Sequence, residues 1–159
     1  MRTRPLIWAL AFASSAATAS AQDVGSEAVP YCADLKRIAD LAVAREGFAS
    51  ITGQPREGNF FETSVALAGW KECSLYGPAT YTCDSRELGT AQDAEKVQAT
   101  TLHEIKTCLG PAWAEAKDRS SSSYVVLHHA QRPVSITLSA DETDKRAHVV
   151  RLIVFVRRN

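Results

Sequence analysis

Residues 147–157 read AHVVRLIVFVR. Seven of the eight residues from Val149 to Val156 are apolar, and most of these are β-branched or aromatic, as is common in buried strands. Both alternating faces of the segment are therefore largely apolar. The pattern predicts a central strand that is covered, at least in part, on both sides. Because such a strand is not stable alone in water, the other elements are expected to pack around it.

The beginning of the chain has the features of a secretory signal peptide. Arg2 and Arg4 precede a short apolar run over residues 6–13, and residues 19–21 (ASA) supply the small residues of a cleavage site. Since the apolar run is too short for a membrane anchor, we expect residues 1–21 to be removed. Residues 22–159 are then predicted to form a single α+β domain in the bacterial periplasm or outside the cell, without stable membrane insertion.

The charge pattern argues against two classes of partner. Residues 22–159 carry 16 basic and 18 acidic groups, a net charge of −2. The balance is uneven, with 8 basic and 13 acidic groups in residues 22–110 and 8 and 5 in residues 111–159. Neither part has the concentrated basic surface that binds nucleic acid or anionic lipid. We therefore expect no nucleic-acid partner.

The four cysteines indicate two disulfides, because an even number in an exported chain is typical of a disulfide framework. Three connectivities are possible, and the local sequence favours one of them. Cys73 and Cys83 flank the turn signal Gly77-Pro78, which predicts a hairpin with a cross-strand bridge. Cys32 and Cys108 lie near the start of one predicted helix and the end of another. Antiparallel packing of those helices would bring Cys32 and Cys108 together and allow a disulfide between them.

Apolar periodicity predicts two helices. The first covers residues 30–46, with Pro30 in its first turn and Gly47 after its end. The second covers residues 91–109, between a capping box that begins at Thr90 and the stop signal Gly110-Pro111.

The remaining segments predict an antiparallel sheet with both helices on one face. The element order is α-β-β-α-β-β-β, and a short edge strand after the second helix is an alternative for the segment around Trp113. Residues 53–59 are predicted as a loop and residues 141–145 as a charged turn. The Ser/Thr positions of the strand at 134–139 should mark the uncovered face. The strands are predicted at residues 64–68 continuing to 76, 80–85, 124–130, 134–139 and 147–157.

No familiar catalytic motif occurs in the sequence, and we predict no catalytic residue, metal ligand set or cofactor. His128 and His129 form the most obvious candidate pair, but neighbouring residues on a strand point to opposite faces. The strand at 134–139 would separate both from His148. A periplasmic hydrolase with one of these histidines paired to a carboxylate in a concave pocket is the alternative hypothesis.

The favoured hypothesis is a non-enzymatic binding module for a protein of the cell envelope, acting as an inhibitor or an accessory subunit. It is based on aromatic residues beside predicted loops, because aromatic side chains are common anchors of interfaces. The predicted surface joins the 53–61 loop to the tip of the 76–79 turn, with Phe60, Phe61, Arg56 and Tyr76 as the binding residues. A structural envelope protein is the third alternative.

Overall fold

The computed structural model describes residues 29–157, which contain two helices and eight strands. The predicted signal peptide lies outside the described residues. In chain order the elements are α1 (Cys32–Val43), β1 (Thr52–Pro55), β2 (Phe60–Thr63), β3 (Glu72–Tyr76), β4 (Thr80–Asp84), α2 (Ala91–Leu109), β5 (Trp113–Glu115), β6 (Tyr124–His129), β7 (Val134–Glu142) and β8 (His148–Val156).

The strands form one antiparallel sheet in the order β1-β2-β3-β4-β8-β7-β6-β5. The apolar strand β8 lies in the middle, between β4 and β7, as its composition predicts. Val150, Leu152 and Val154 are fully buried on one face of β8, and Val149 is buried on the other. The burial of apolar side chains on both faces explains why this strand organises the fold.

Both helices pack on the same face of the sheet, which confirms the predicted α+β class. The bounds of α2 agree with the prediction, because Thr90 Oγ1 accepts a hydrogen bond from the Asp93 N–H at 3.1 Å and Gly110 ends the helix with φ +76°. The helix α1 is shorter than predicted, since Ala44 is already extended. No helix in the described part of the chain is long and apolar enough to cross a membrane.

Both predicted disulfides are confirmed. Cys73 and Cys83 are opposite each other in the β3–β4 register, with their Cα atoms 4.1 Å apart. The Cys32–Cys108 bridge links the start of α1 to the end of α2. The helices are therefore fixed to each other at one end, and the hairpin is fixed within the sheet.

The predicted strand at residues 64–76 is wrong over its first part. The sheet instead contains Phe60–Thr63 and Glu72–Tyr76, and the segment between them leaves the sheet. The Val65 side chain is buried, and its carbonyl oxygen accepts a hydrogen bond from the Tyr81 hydroxyl at 2.9 Å. A side chain therefore provides a hydrogen bond that a neighbouring strand would otherwise supply.

Residues 53–59, predicted as a loop, form most of β1 and a tight hairpin turn. Gly58 and Asn59 have φ values of +70° and +66°, the left-handed conformation that suits the centre of a hairpin turn. All four residues of β1 are exposed, and Pro55 fits an edge strand. Because β1 has no apolar alternation, its sequence gave no strand signal.

The uncovered face of the sheet is correctly predicted, but its Ser/Thr positions on β7 are buried. Ser135, Thr137 and Ser139 are 0%, 2% and 6% exposed although no described helix covers them. These small side chains lie between larger ones on β6 and β8. β7 also extends to Glu142, so the predicted charged turn at 141–145 starts later than expected.

Candidate functional site: a groove on the helix-free face

The register of the strands arranges the helix-free face into rows of side chains, because residues opposite each other in an antiparallel pair point to the same side. One row is aromatic at its β2–β3 end, one is rich in hydroxyl groups, and one carries charged groups. The first row contains Phe60, Tyr76, Thr80, Phe155, Ser135 and His128. The second contains Glu62, Ser74, Thr82, Ile153, Thr137 and Val126. The third contains Glu72, Asp84, Arg151, Ser139 and Tyr124.

A partly open groove of about 640 Å³ lies over the part of these rows that β2, β3, β4 and β8 contribute. This volume is within the range of ligand-binding pockets. The groove has an aromatic end, a floor of hydroxyl groups with one aliphatic side chain, and a charged end. It is lined by Arg56, Glu57, Phe60, Glu72, Ser74, Tyr76, Thr80, Thr82, Asp84, Arg151 and Ile153.

The aromatic end is a pair of exposed rings. The ring centroids of Phe60 and Tyr76 are 5.1 Å apart and the rings are tilted by 56°, while the residues remain 38% and 50% exposed. Two hairpin turns hold this pair in position. The Gly77 N–H at the β3–β4 turn donates a hydrogen bond to the Asn59 carbonyl oxygen at the β1–β2 turn, at 3.1 Å.

The charged end of the groove contains a bidentate ion pair. Arg151 donates hydrogen bonds from Nε and Nη2 to the two carboxylate oxygens of Asp84, at 2.7 and 2.9 Å. Its Nη1 also lies 3.4 Å from Asp141. The hydrogen bond to Asp84 raises the pKa of Arg151 above its ordinary value. The Arg151 side chain is therefore held in place before any ligand arrives.

A second arginine borders the groove from the β1–β2 turn. Arg56 Nη1 donates a hydrogen bond to Glu72 at 2.8 Å, and its Nε lies 3.8 Å from Glu62. Glu57 follows Arg56 in the turn and is exposed. It has no ion-pair partner within residues 29–157.

The structure brings three of the four sequence-predicted binding residues together in this groove. Phe60, Arg56 and Tyr76 line it, whereas Phe61 lies on the opposite face, pairs with Leu75 and packs against the core. Whether these residues bind a partner stays a prediction.

The sequence reasoning missed the groove residues of β4 and β8. On β4, the groove residues could have been found from the polar side chains at alternate positions, Thr80, Thr82 and Asp84, because such alternation indicates a face directed away from the core. The signal for β8 was Arg151, a charged residue inside an apolar strand. Because Asp84 and Arg151 are far apart in sequence, their pairing required the strand register.

The histidines do not line the groove. His128 Nδ1 is 2.7 Å from Ser135 Oγ, and His129 Nδ1 accepts hydrogen bonds from the backbone N–H groups of Gln131 and Arg132, both at 3.1 Å. Burial and nearby arginines lower the pKa values of both histidines. β7 separates them from His148. The histidine–carboxylate hydrogen bond that the hydrolase hypothesis predicts does not occur between described residues.

The described residues also contain no group of three or more histidine, cysteine or acidic side chains arranged to hold a metal ion. The groove on the helix-free face is therefore the candidate functional site. The chain matches no protein-family model, no curated protein and no solved structure.

Proposed function

We propose that this protein is a non-enzymatic, exported binding module whose groove holds a segment of a protein partner. The observation that carries the proposal is the pair of exposed rings, Phe60 and Tyr76, beside two arginines in one concavity. Tyrosine, phenylalanine and arginine are enriched in the centres of protein interfaces. An exposed aromatic pair of this kind has a favourable free-energy change when a partner removes it from water.

The shape of the groove supports a polypeptide segment as the occupant. The groove is partly open and extends across four strands, so a chain that continues in both directions can enter it without being enclosed. Its hydroxyl floor, which includes Ser74 and Thr82, provides hydrogen-bonding groups for a polar backbone.

Two disulfides and the absence of free cysteines in the described residues fit a protein of an oxidising compartment outside the cytoplasm. With the signal-peptide pattern of residues 1–21, these features support the periplasm or the extracellular space as the site of action. The partner is then a protein of the cell envelope, which this module inhibits or assists as an accessory subunit.

Site-specific photo-crosslinking tests the proposal. A benzoylphenylalanine at position 76 should give a discrete protein adduct in the native host. The same group at position 124 should not, because Tyr124 is similarly exposed (41%) on the same sheet face but lies outside the groove. The Phe60→Ala/Tyr76→Ala double variant should then bind the purified partner about tenfold or more weakly.

Tyr124→Ala is the matched control for that binding measurement, since it removes an exposed ring of the same sheet face. Phe61→Ala is not a suitable test, because Phe61 packs against the core. Equal adducts at positions 76 and 124, or no adduct at position 76, would contradict the proposed site.

A further inference from the structure

The groove carries an excess of negative charge. Both of its arginines, Arg56 and Arg151, are already paired with two carboxylates each. Glu57 contributes a further carboxylate without a cationic partner within residues 29–157. The lining therefore holds three carboxylates, Glu57, Glu72 and Asp84, and two guanidinium groups, a net charge of −1. Glu62 and Asp141, which pair with the two arginines from outside the lining, bring the net charge of the whole cluster to −3.

The aromatic end of the groove adds a second feature that favours a cation. The faces of aromatic rings attract ammonium and guanidinium groups that lie within about 6 Å of the ring centroid. Tyr76 is 50% exposed and lines the same concavity as the carboxylate of Glu57. An exposed ring and an unpaired carboxylate in the lining of one groove provide both kinds of contact that a basic side chain makes in a protein interface.

We propose, on the basis of the binding function argued above, that the groove accepts a lysine or arginine side chain of the partner. The aliphatic part of that side chain packs against Phe60 and Tyr76, and its charged end meets Glu57 and the carboxylate of Glu72. The partner segment is therefore basic, with at least one lysine or arginine at the position that enters the groove.

The arginines of the groove do not favour an acidic ligand instead. Asp84 occupies two hydrogen-bonding groups of Arg151, and Glu72 occupies Nη1 of Arg56. An acidic ligand would have to replace these carboxylates and would also approach a surface with a net negative charge. The internal ion pairs thus hold both arginines in place and leave the excess negative charge to select a basic ligand.

Capped tripeptides test this selectivity directly. The peptides Gly-Arg-Gly, Gly-Gln-Gly and Gly-Glu-Gly differ only in their central side chain, and each is titrated into the oxidised protein while the backbone amide signals are followed by NMR. The arginine peptide should shift the signals of residues 57–60 and 74–82 in a saturable way. The glutamate peptide should not, and added salt should weaken the arginine response.

Three variants assign the response to the named groups. Glu57→Gln and Tyr76→Leu should each weaken binding of the arginine peptide about threefold to fivefold. Tyr76→Phe keeps the ring and should retain binding, which separates loss of the ring from loss of folding. Glu95→Gln is the matched charge control, because Glu95 is an exposed carboxylate on α2.

Equal or tighter binding of the glutamate peptide, or no saturable response to the arginine peptide, would overturn this inference. A crosslinked partner whose attached segment lacks lysine and arginine would also overturn it, while the proposed function would stand. In contrast, binding of the arginine peptide without any protein adduct at position 76 would contradict the proposed function and leave the preference of the groove for cations intact.

Discussion

Asp84 and Arg151 are joined by two hydrogen bonds across the β4–β8 pair, the junction between the β1–β4 and β5–β8 parts of the sheet. The two residues are directly opposite each other in the strand register, so their side chains are close enough to form these hydrogen bonds. It also forms the charged end of the groove. One ion pair therefore stabilises the centre of the sheet and shapes the candidate binding site.

We expect the Asp84–Arg151 pair to contribute more stability than an ordinary surface ion pair. Because both side chains are about a third exposed, a double-mutant cycle with Asp84→Ala and Arg151→Ala should give a coupling free energy of about 1 kcal/mol, decreasing with added salt. Urea unfolding measures each free energy. The cycle is needed because Arg151→Ala also removes the contact with Asp141.

The Lys71–Glu87 pair is the control for this measurement. Its atoms are 3.2 Å apart, but both side chains are more than half exposed and joined by a single contact. Its coupling free energy should be close to zero. Equal couplings for the two pairs would show that the bidentate geometry of Asp84 and Arg151 adds nothing to stability.

The two disulfides should differ in their contribution to the free energy of unfolding. Cys32–Cys108 closes a separation of 76 residues and Cys73–Cys83 one of 10. The chain-entropy model assigns about 4.5 kcal/mol to the first and about 2.8 kcal/mol to the second. Replacing both cysteines of the long-range bridge by alanine should therefore lower the urea midpoint more than the same change in the hairpin.

The comparison of the two cysteine variants is a strict test, because Cys83 of the hairpin bridge is fully buried. Its replacement leaves a small cavity in the core, which adds to the cost of removing the hairpin bridge. In spite of that added cost, we expect the variant without the Cys32–Cys108 bridge to be the less stable of the two. A hairpin variant that unfolds at lower urea than the Cys32→Ala/Cys108→Ala variant would contradict the chain-entropy argument.

The sequence predicts elements best where their determinants are local. The helix α2 has a cap at Thr90, a stop at Gly110 and an apolar stripe between them, and its bounds are correct. The burial of Gln98 on this helix was not predicted, because glutamine side chains are mostly exposed. The structure explains this burial, since Gln98 Nε2 donates a hydrogen bond to the Leu138 carbonyl oxygen at 2.8 Å.

Elements that depend on distant partners were predicted poorly. β1 and β2 are short and have little apolar alternation. β2 becomes a strand because it pairs with the edge of β3, and β1 because it pairs with β2. The segment after β2 has apolar residues suited to a strand, but the Tyr81 hydroxyl binds the carbonyl of Val65 instead.

The residues of the candidate site also differ in whether the local sequence could predict them. Phe60, Arg56 and Tyr76 could be proposed from the sequence because they lie beside turn residues. Asp84 and Arg151 could not, since only the register of β4 with β8 places them together.

Acid should destabilise the fold through His128. Burial first, and then Arg157 and Arg119, lower its pKa below the ordinary value of 6.5. As the pH falls below about 6.5, the unfolded chain binds a proton more readily than the folded protein, so stability is lost towards the lowered pKa. His128→Gln should therefore lose less thermal stability than wild type between about pH 7.5 and about pH 5.5. His103→Gln, at an exposed site on α2, should behave as wild type. If both variants match wild type, the partly buried imidazole of His128 is not a source of the acid sensitivity.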